Sequence, residues 1–244
     1  MADTTVGTIQ ELYRYPVKSL AGEGLTRCTV EAYGVWGDRA LAFGDPSKTG
    51  GSRYYTAREI PQLLAYRAEL SGEDESCDAA SAVRVTTPDG RVLGWEEPLL
   101  QEIQALTPQP VGLMACTEEG SPPIVVDIES ILIVTKESLR TVEALWGKHT
   151  DMRRFRPNLV VALDAGAPDE QAWVGKKLII GGVELDVAMP CERCSLINVD
   201  PVTLERDPSL LKLLYQKLNT HFGVYATVRR TGHIQVGDRV ILAD

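Results

Sequence analysis

Apolar and polar residues alternate in short runs along most of this chain, and a period of two predicts strands rather than helices. Val183, Leu185 and Val187 interleave with Glu184 and Asp186 as a half-buried strand requires, and Gly181-Gly182 folds the apolar run from Lys177 back onto it as a hairpin. Leu25 to Glu31, Tyr66 to Leu70, Val83 to Thr87 and Arg91 to Trp95 read as further short strands. Pro88-Asp89-Gly90 supplies the turn between the last two. Ile131 to Val134, Leu159 to Leu163, His221 to Val228 and Ile234 to Val240 continue the pattern. Helical spacing occurs twice. Thr135 caps a helix over about 136 to 148 whose Leu139, Val142, Leu145 and Trp146 form its core face, with His149 solvated near its end. Asp207-Pro208 opens a second, over about 208 to 219, with Leu210, Leu211, Leu214 and Leu218 along one face. Thr56 is the cap candidate of a shorter helix that includes Pro61. The fold class is therefore mixed and β-dominated, with peripheral helices.

Loop segments divide the chain. Gly44 to Ser52 and the acidic Ser71 to Ser81, which carries Cys77, read as exposed loops. Glu118-Glu119-Gly120-Ser121-Pro122-Pro123 shifts composition enough to mark a boundary. The expected organisation is a β-rich N-terminal module, 1–120, whose first strands are allowed to join the barrel, and a second domain, 121–244. No internal repeat is present.

With 244 residues the chain can bury a core without staples, and five cysteines do not make a disulfide framework, which favours a reducing compartment. The N-terminal stretch lacks the features of a secretory signal, and no run approaches about 18 apolar residues. A cytoplasmic protein without a membrane segment is expected. A formal net charge of −9 disfavours nucleic acid as a partner, so an anionic ligand would need a local cluster of cations. Met152-Arg153-Arg154-Phe155-Arg156 provides the sharpest such field. Asp38-Arg39, in a glycine-bracketed turn, reads as a surface pair worth little. Pro16 breaks any ladder in Tyr15-Pro16-Val17-Lys18-Ser19 and places Lys18 and Ser19 on a turn.

The stretch Met189 to Pro201 concentrates the candidate chemistry. It puts Cys191, Arg193 and Cys194 on what reads as a strand-to-strand loop. A thioredoxin-like site needs its first Cys at a helix N-terminus, and no helical period follows here. A structural zinc site needs four ligands, whereas Cys28, Cys77 and Cys116 stand alone and the three histidines are scattered. Two readings remain open. Both cysteines are small buried hydrophobes, or a thiolate is held beside a guanidinium, suited to a soft metal or a sulfur species.

Taken in order, Tyr15 to Ser19, Gly37-Asp38-Arg39, Phe155-Arg156-Pro157-Asn158 and Pro190 to Cys194 with Val199-Asp200-Pro201 resemble the MOSC family, named for the C-terminal domain of molybdenum cofactor sulfurases. The likeness runs over nearly the whole chain and implies a MOSC β-barrel joined to a smaller β-rich N-terminal module. The functional relatives it implies are mitochondrial amidoxime-reducing components and their bacterial counterparts, which reduce N-hydroxylated compounds at a molybdenum cofactor. By the resemblance, Cys194 is the molybdenum ligand and the catalytic residue. Lys18, Ser19, Arg39, Arg156, Asn158, Arg193 and Tyr225 hold the pterin and its phosphate, and Asp127 to Ser130 aligns loosely with a further segment, adding Ser130. Arg193 is expected to favour the Cys194 thiolate, leaving Cys191 in a packing role. Val202-Thr203-Leu204 departs from the Asp-Thr-Gly usual in the reductases. No cysteine spacing would hold an iron–sulfur cluster. Electrons are thus expected from a separate donor, a b-type cytochrome, a ferredoxin or a flavin reductase, with a small N-hydroxylated molecule as substrate. The alternatives are a carrier of molybdenum cofactor or of a persulfide that delivers to client enzymes, and a binding module without metal.

Overall fold

A computed structural model describes residues 3–71, 78–115 and 128–243. Cys77, most of the acidic loop, Cys116, Asp127 and the expected boundary at 118–123 lie outside the described residues. In chain order the N-terminal half contributes β1 (Thr4–Arg14), β2 (Glu23–Leu25), β3 (Arg27–Glu31), β4 (Gly34–Val35) and β5 (Leu41–Gly44). These are followed by β6 (Arg67–Leu70), the short helix α1 (Ala79–Ala82), β7 (Val83–Thr86), β8 (Val92–Leu93), α2 (Glu97–Gln104) and β9 (Gly112–Ala115). The second half runs β10 (Ile131–Thr135), α3 (Lys136–Trp146), β11 (Leu159–Leu163), β12 (Lys177–Ile180) and β13 (Val183–Glu192). It ends with α4 (Ser209–Leu218), β14 (His221–Arg230), β15 (Gly232–Gln235) and β16 (Arg239–Ala243).

Seven strands close into a barrel in the order β11-β10-β14-β13-β12-β16-β1, because β1 pairs with both β16 and β11, and β2 extends the sheet outside the ring. All neighbours are antiparallel except β10 and β11, whose parallel pairing is made possible by the α3 crossover. Alternation dictates the filling. Leu178 and Ile180, Leu185 and Val187, and Val240 and Leu242 turn inward, Val6 and Ile9 join them from β1, whose register shifts interrupt its alternation, and Trp173 is fully buried among them, so the interior is a packed core. Gly7 is required where β1 crosses β11, since a Cβ there would lie 2.3 Å from the Ala162 carbonyl oxygen.

Of the remaining N-terminal strands, β3 and β4 form a sheet with β15, while β5 with β9 and β6-β7-β8 form small sheets around a second core that includes Leu41, Phe43, Leu63, Val83, Leu99 and Ile103. Helix α2 is absent from the sequence expectations. It has Pro98 in its first turn and buries Leu99 and Ile103, four apart. At Thr56 the expected cap is a turn closed by Glu59, and the helical residues, Pro61–Ala65, form a 3₁₀ segment instead. A third core under α3 and α4 gathers Val142, Phe155, Cys191, Ile197, Leu210, Leu214 and Phe222. Leu145, expected in the core, is 46% exposed on the outer face of α3.

Thr135 caps α3 as its position suggests, accepting from Ser138 N at 3.1 Å. Its hydroxyl also donates to Glu170, as does that of Ser138, both at 2.7 Å, and the other Glu170 oxygen is buried without a hydrogen-bond partner. Burial pushes this carboxyl above its ordinary value, and the two hydroxyls only partly oppose it. A carboxyl that keeps its proton to higher pH when folded stabilises the native state fully below the unfolded pKa. That advantage is lost as pH rises through the folded value. Glu170→Gln cannot ionise. Its denaturant midpoint should therefore gain on that of the native chain as pH climbs above the glutamate range, and a constant difference from pH 4 to 8 would contradict the charge argument.

Candidate functional site

Four loops converge where the barrel meets the N-terminal module. Pro16 ends β1, and the turn after it is pinned by Lys18 N donating to Leu41 O at 2.8 Å, which presents Lys18 and Ser19 to a cleft. The Gly37-Asp38-Arg39 turn faces them. Its Asp38 is 3% exposed, accepts from Tyr15 N at 2.7 Å and pairs with the Arg39 guanidinium, while Arg39 N donates to Tyr15 O at 2.7 Å. The expected surface pair is thus a buried bracket, because Asp38 carries a structural hydrogen bond as well as a charge partner.

The arginine cluster divides. Arg153 turns outward to Asp151, and Arg154 is buried against Asp200 at 2.6 Å and Ile197 O at 3.1 Å. Arg156 alone of the three lines the cleft, where it donates to Leu20 O at 2.7 Å. Burial would raise the Asp200 carboxyl, but N–H groups from Thr203 and Val202 and the Arg154 charge outweigh it and hold the carboxyl below its usual range. That turn ends at Leu204, which adopts φ 61°, a left-handed backbone conformation more usual for glycine.

Asn158 is fully buried on the cleft floor. Its side chain accepts from Leu132 N at 3.1 Å and donates to Tyr13 O at 3.3 Å, tying β1, β10 and β11 together, and lies 3.5 Å from Arg39 Nη1. Its amide is engaged with the protein, so it acts on the cleft through Arg39. Ser19, Arg39 and Arg156 are three of the six non-glycine residues with positive φ among the described residues. Such backbone conformations cost about 1–3 kcal/mol each and persist where the surroundings hold them, which marks the three loops as shaped for the cleft.

The fourth wall corrects the expectation for Met189 to Pro201. Strand β13 runs on through Glu192, with register shifts on either side of Pro190 that let proline sit in the ladder, and Cys194 caps a 3₁₀ turn, Ser195–Asn198. Cys191 and Cys194 are free thiols, the first buried in the third core and the second exposed. Val199 belongs to the second core, so the segment is strung between two packed regions. The hydrogen bonds of the Arg193 guanidinium go to Cys191 and to the Phe155 carbonyl. Nη1 donates to Cys191 Sγ at 2.8 Å and Nη2 to Phe155 O at 2.7 Å, while the Arg193 backbone N–H holds Thr220 O at 2.8 Å.

The cleft is lined by Lys18, Ser19, Arg39, Arg156, Asn158, Arg193, Cys194 and Tyr225, together with Thr56, Arg58, Glu129, Leu132, Phe155, Glu192 and Leu196. Ser130 is not among them. It backs onto Gly34, where an added Cβ would lie 3.0 Å from the Ser130 Cβ, and Glu129 takes the wall position. The cleft has a volume of about 80 Å³ and opens to solvent. Among the described residues no three His, Cys, Asp or Glu side chains gather to hold a metal ion. A metal here would take one thiolate from Cys194 and its other ligands from a cofactor. The cationic wall suits a phosphate-bearing cofactor, and the donor set fits.

A closed β-barrel joined to a second β-rich unit, with one accessible thiol beside a cationic cleft, defines the class of protein. Residues 6–102 match the MOSC N-terminal beta barrel domain and residues 125–241 the MOSC domain, and the chain belongs to the MOSC family. It is 30% identical to the human mitochondrial amidoxime reducing component 2 over 96% of this chain and 83% of the relative. To the molybdenum cofactor sulfurase of Caenorhabditis elegans it is 26% identical, over 92% of this chain and 33% of that protein. The crystal structure of the YUAD protein from Bacillus subtilis shares the fold, with a TM-score of 0.54 and 14% identity, covering 100% of this chain and 98% of that one. Family and relatives associate the chain with the molybdenum cofactor. No helix among the described residues is long and apolar enough to cross a membrane.

Proposed function

We propose that this protein is a molybdenum-cofactor-dependent oxidoreductase that reduces N-hydroxylated compounds such as hydroxylamines, amidoximes and N-hydroxylated bases. The observation that carries the reading is the exposed Cys194 at the edge of a cleft walled by Lys18, Arg39, Arg156 and Arg193, in a chain of net charge −9. The guanidiniums and the Lys18 ammonium would hold the cofactor's phosphate and pterin, Arg as a planar fork and Lys as a point charge. Cys194 would supply the protein thiolate to molybdenum, and Tyr225 and Phe155 would wall the cleft beside it. When bound, the cofactor supplies two-electron chemistry at the N–O bond, so that a hydroxylamine, two electrons and two protons give an amine and water. The electrons come from a separate redox protein, and the compartment is the cytoplasm.

The sulfurase relative and the exposure of Cys194 favour a second reading, a carrier that passes the cofactor or a persulfide to client enzymes. Metal and pterin analysis of protein made in a cofactor-competent host tests both. The reductase should hold about one molybdenum per chain through gel filtration and turn over benzamidoxime with a chemical reductant. Cofactor retained without turnover, and lost rapidly to an acceptor apoenzyme, would favour the carrier. A chain without molybdenum or pterin would sink the reductase and the cofactor carrier, and absence of cyanide-releasable sulfur as well would sink the persulfide carrier.

A further inference from the structure

Tyr15 lies behind the cleft and is 2% exposed. The Arg156 guanidinium lies over its ring at 4.2 Å from the centroid, and that of Arg39 at 5.3 Å. Its backbone belongs to the same assembly, since its N–H donates to Asp38 and its carbonyl accepts from Arg39 N. The phenol oxygen, in contrast, is buried with no hydrogen-bond partner. Burial pushes the phenol well above its ordinary pKa against the opposing pull of Arg156 and Arg39, so it stays neutral.

Two guanidiniums brought to one small cleft repel each other, and each has a long side chain to immobilise. Asp38 offsets one of the charges. The negative face of an aromatic ring attracts both without a formal charge that would compete with an anionic ligand. We infer that Tyr15 is a positioning residue, its ring the shared platform that holds Arg39 and Arg156 together as a two-armed clamp for an anionic oxygen group. The hydroxyl has no part in this, and the aromatic face is what matters.

The inference rests on reading the cleft as the seat of a phosphate-bearing ligand, and the probe is inorganic phosphate, titrated calorimetrically into the cofactor-free chain at low ionic strength. Tyr15→Phe should bind phosphate as the native chain does and melt no lower, because it removes only an unpartnered buried hydroxyl. Introducing 4-fluoro-, trifluoro- and pentafluorophenylalanine at position 15 nearly preserves shape while progressively weakening the negative face of the ring. Phosphate binding should weaken in steps, to about fivefold below the Phe variant at full fluorination, with circular dichroism unchanged. A flat series in a chain that binds phosphate would overturn the platform and leave the anion site standing. Binding by the native chain but not by Tyr15→Phe would overturn the platform alone, and no phosphate binding by the native chain would overturn both.

Discussion

Cys194→Ser should abolish molybdenum retention and reductive turnover while leaving the melting temperature of the cofactor-free protein almost unchanged. The side chain is exposed and makes no capping bond to the turn that follows it, so its replacement disturbs little. A hydroxyl is a poor ligand for a soft metal, and the other potential ligands that line the cleft, Glu129 and Glu192, are hard oxygen donors rather than thiolates. Cys191→Ser should behave in the opposite sense. It keeps the metal but loses stability, because a hydroxyl with its own hydrogen-bonding needs then sits in the third core beside the Arg193 guanidinium. Metal analysis and melting curves on the pair decide the matter, and exchange of the two phenotypes would assign the ligand to Cys191.

The second large effect is on folding. Asn158→Ala should lower stability by about 2–4 kcal/mol, since it strips the Leu132 N–H and the Tyr13 carbonyl of a side-chain partner in a fully buried site. Urea denaturation measures this directly. Phosphate affinity should fall with it, because Arg39 loses a neighbour at 3.5 Å. A stability change below 1 kcal/mol, on the order of a surface substitution, would show that water replaces the amide.

Much of the frame was legible. The two amphipathic helices lie at 136–146 and 209–218, close to the spans read from their caps and leucines, because Thr135 and Asp207 each accept from backbone N–H groups at a helix start. Helix α2 was hidden by its length, since eight residues show barely two turns of period. The motif residues from Lys18 to Tyr225 could be recognised as a set, with Ser130 as the one member outside the cleft. What each side chain faces was another matter. Arg193 is adjacent to Cys194 in sequence, yet in an extended strand residues two apart share a side, and β13 runs far enough to turn Arg193 toward Cys191. Extending that strand past Pro190 in the sequence reading would have foretold the contact. Tyr15 gave no sign beyond its place before a proline, and its importance arises from two arginines 24 and 141 positions away.

The ring of seven strands closes on β1, which lies between β16 and β11. Its two neighbours in the ring are more than a hundred residues downstream, and one of them is Arg239–Ala243. During synthesis, therefore, the first stave of the barrel must wait with Val6, Ile9 and Leu12 uncovered until Arg239–Ala243 has been made. Residues 121–244 produced alone would have a gap between Arg239–Ala243 and Leu159–Leu163, two raw edges flanking an open core. The fragment bearing the reactive thiol should therefore be the one most prone to aggregate, and supplying residues 3–25 as a separate peptide should restore its solubility.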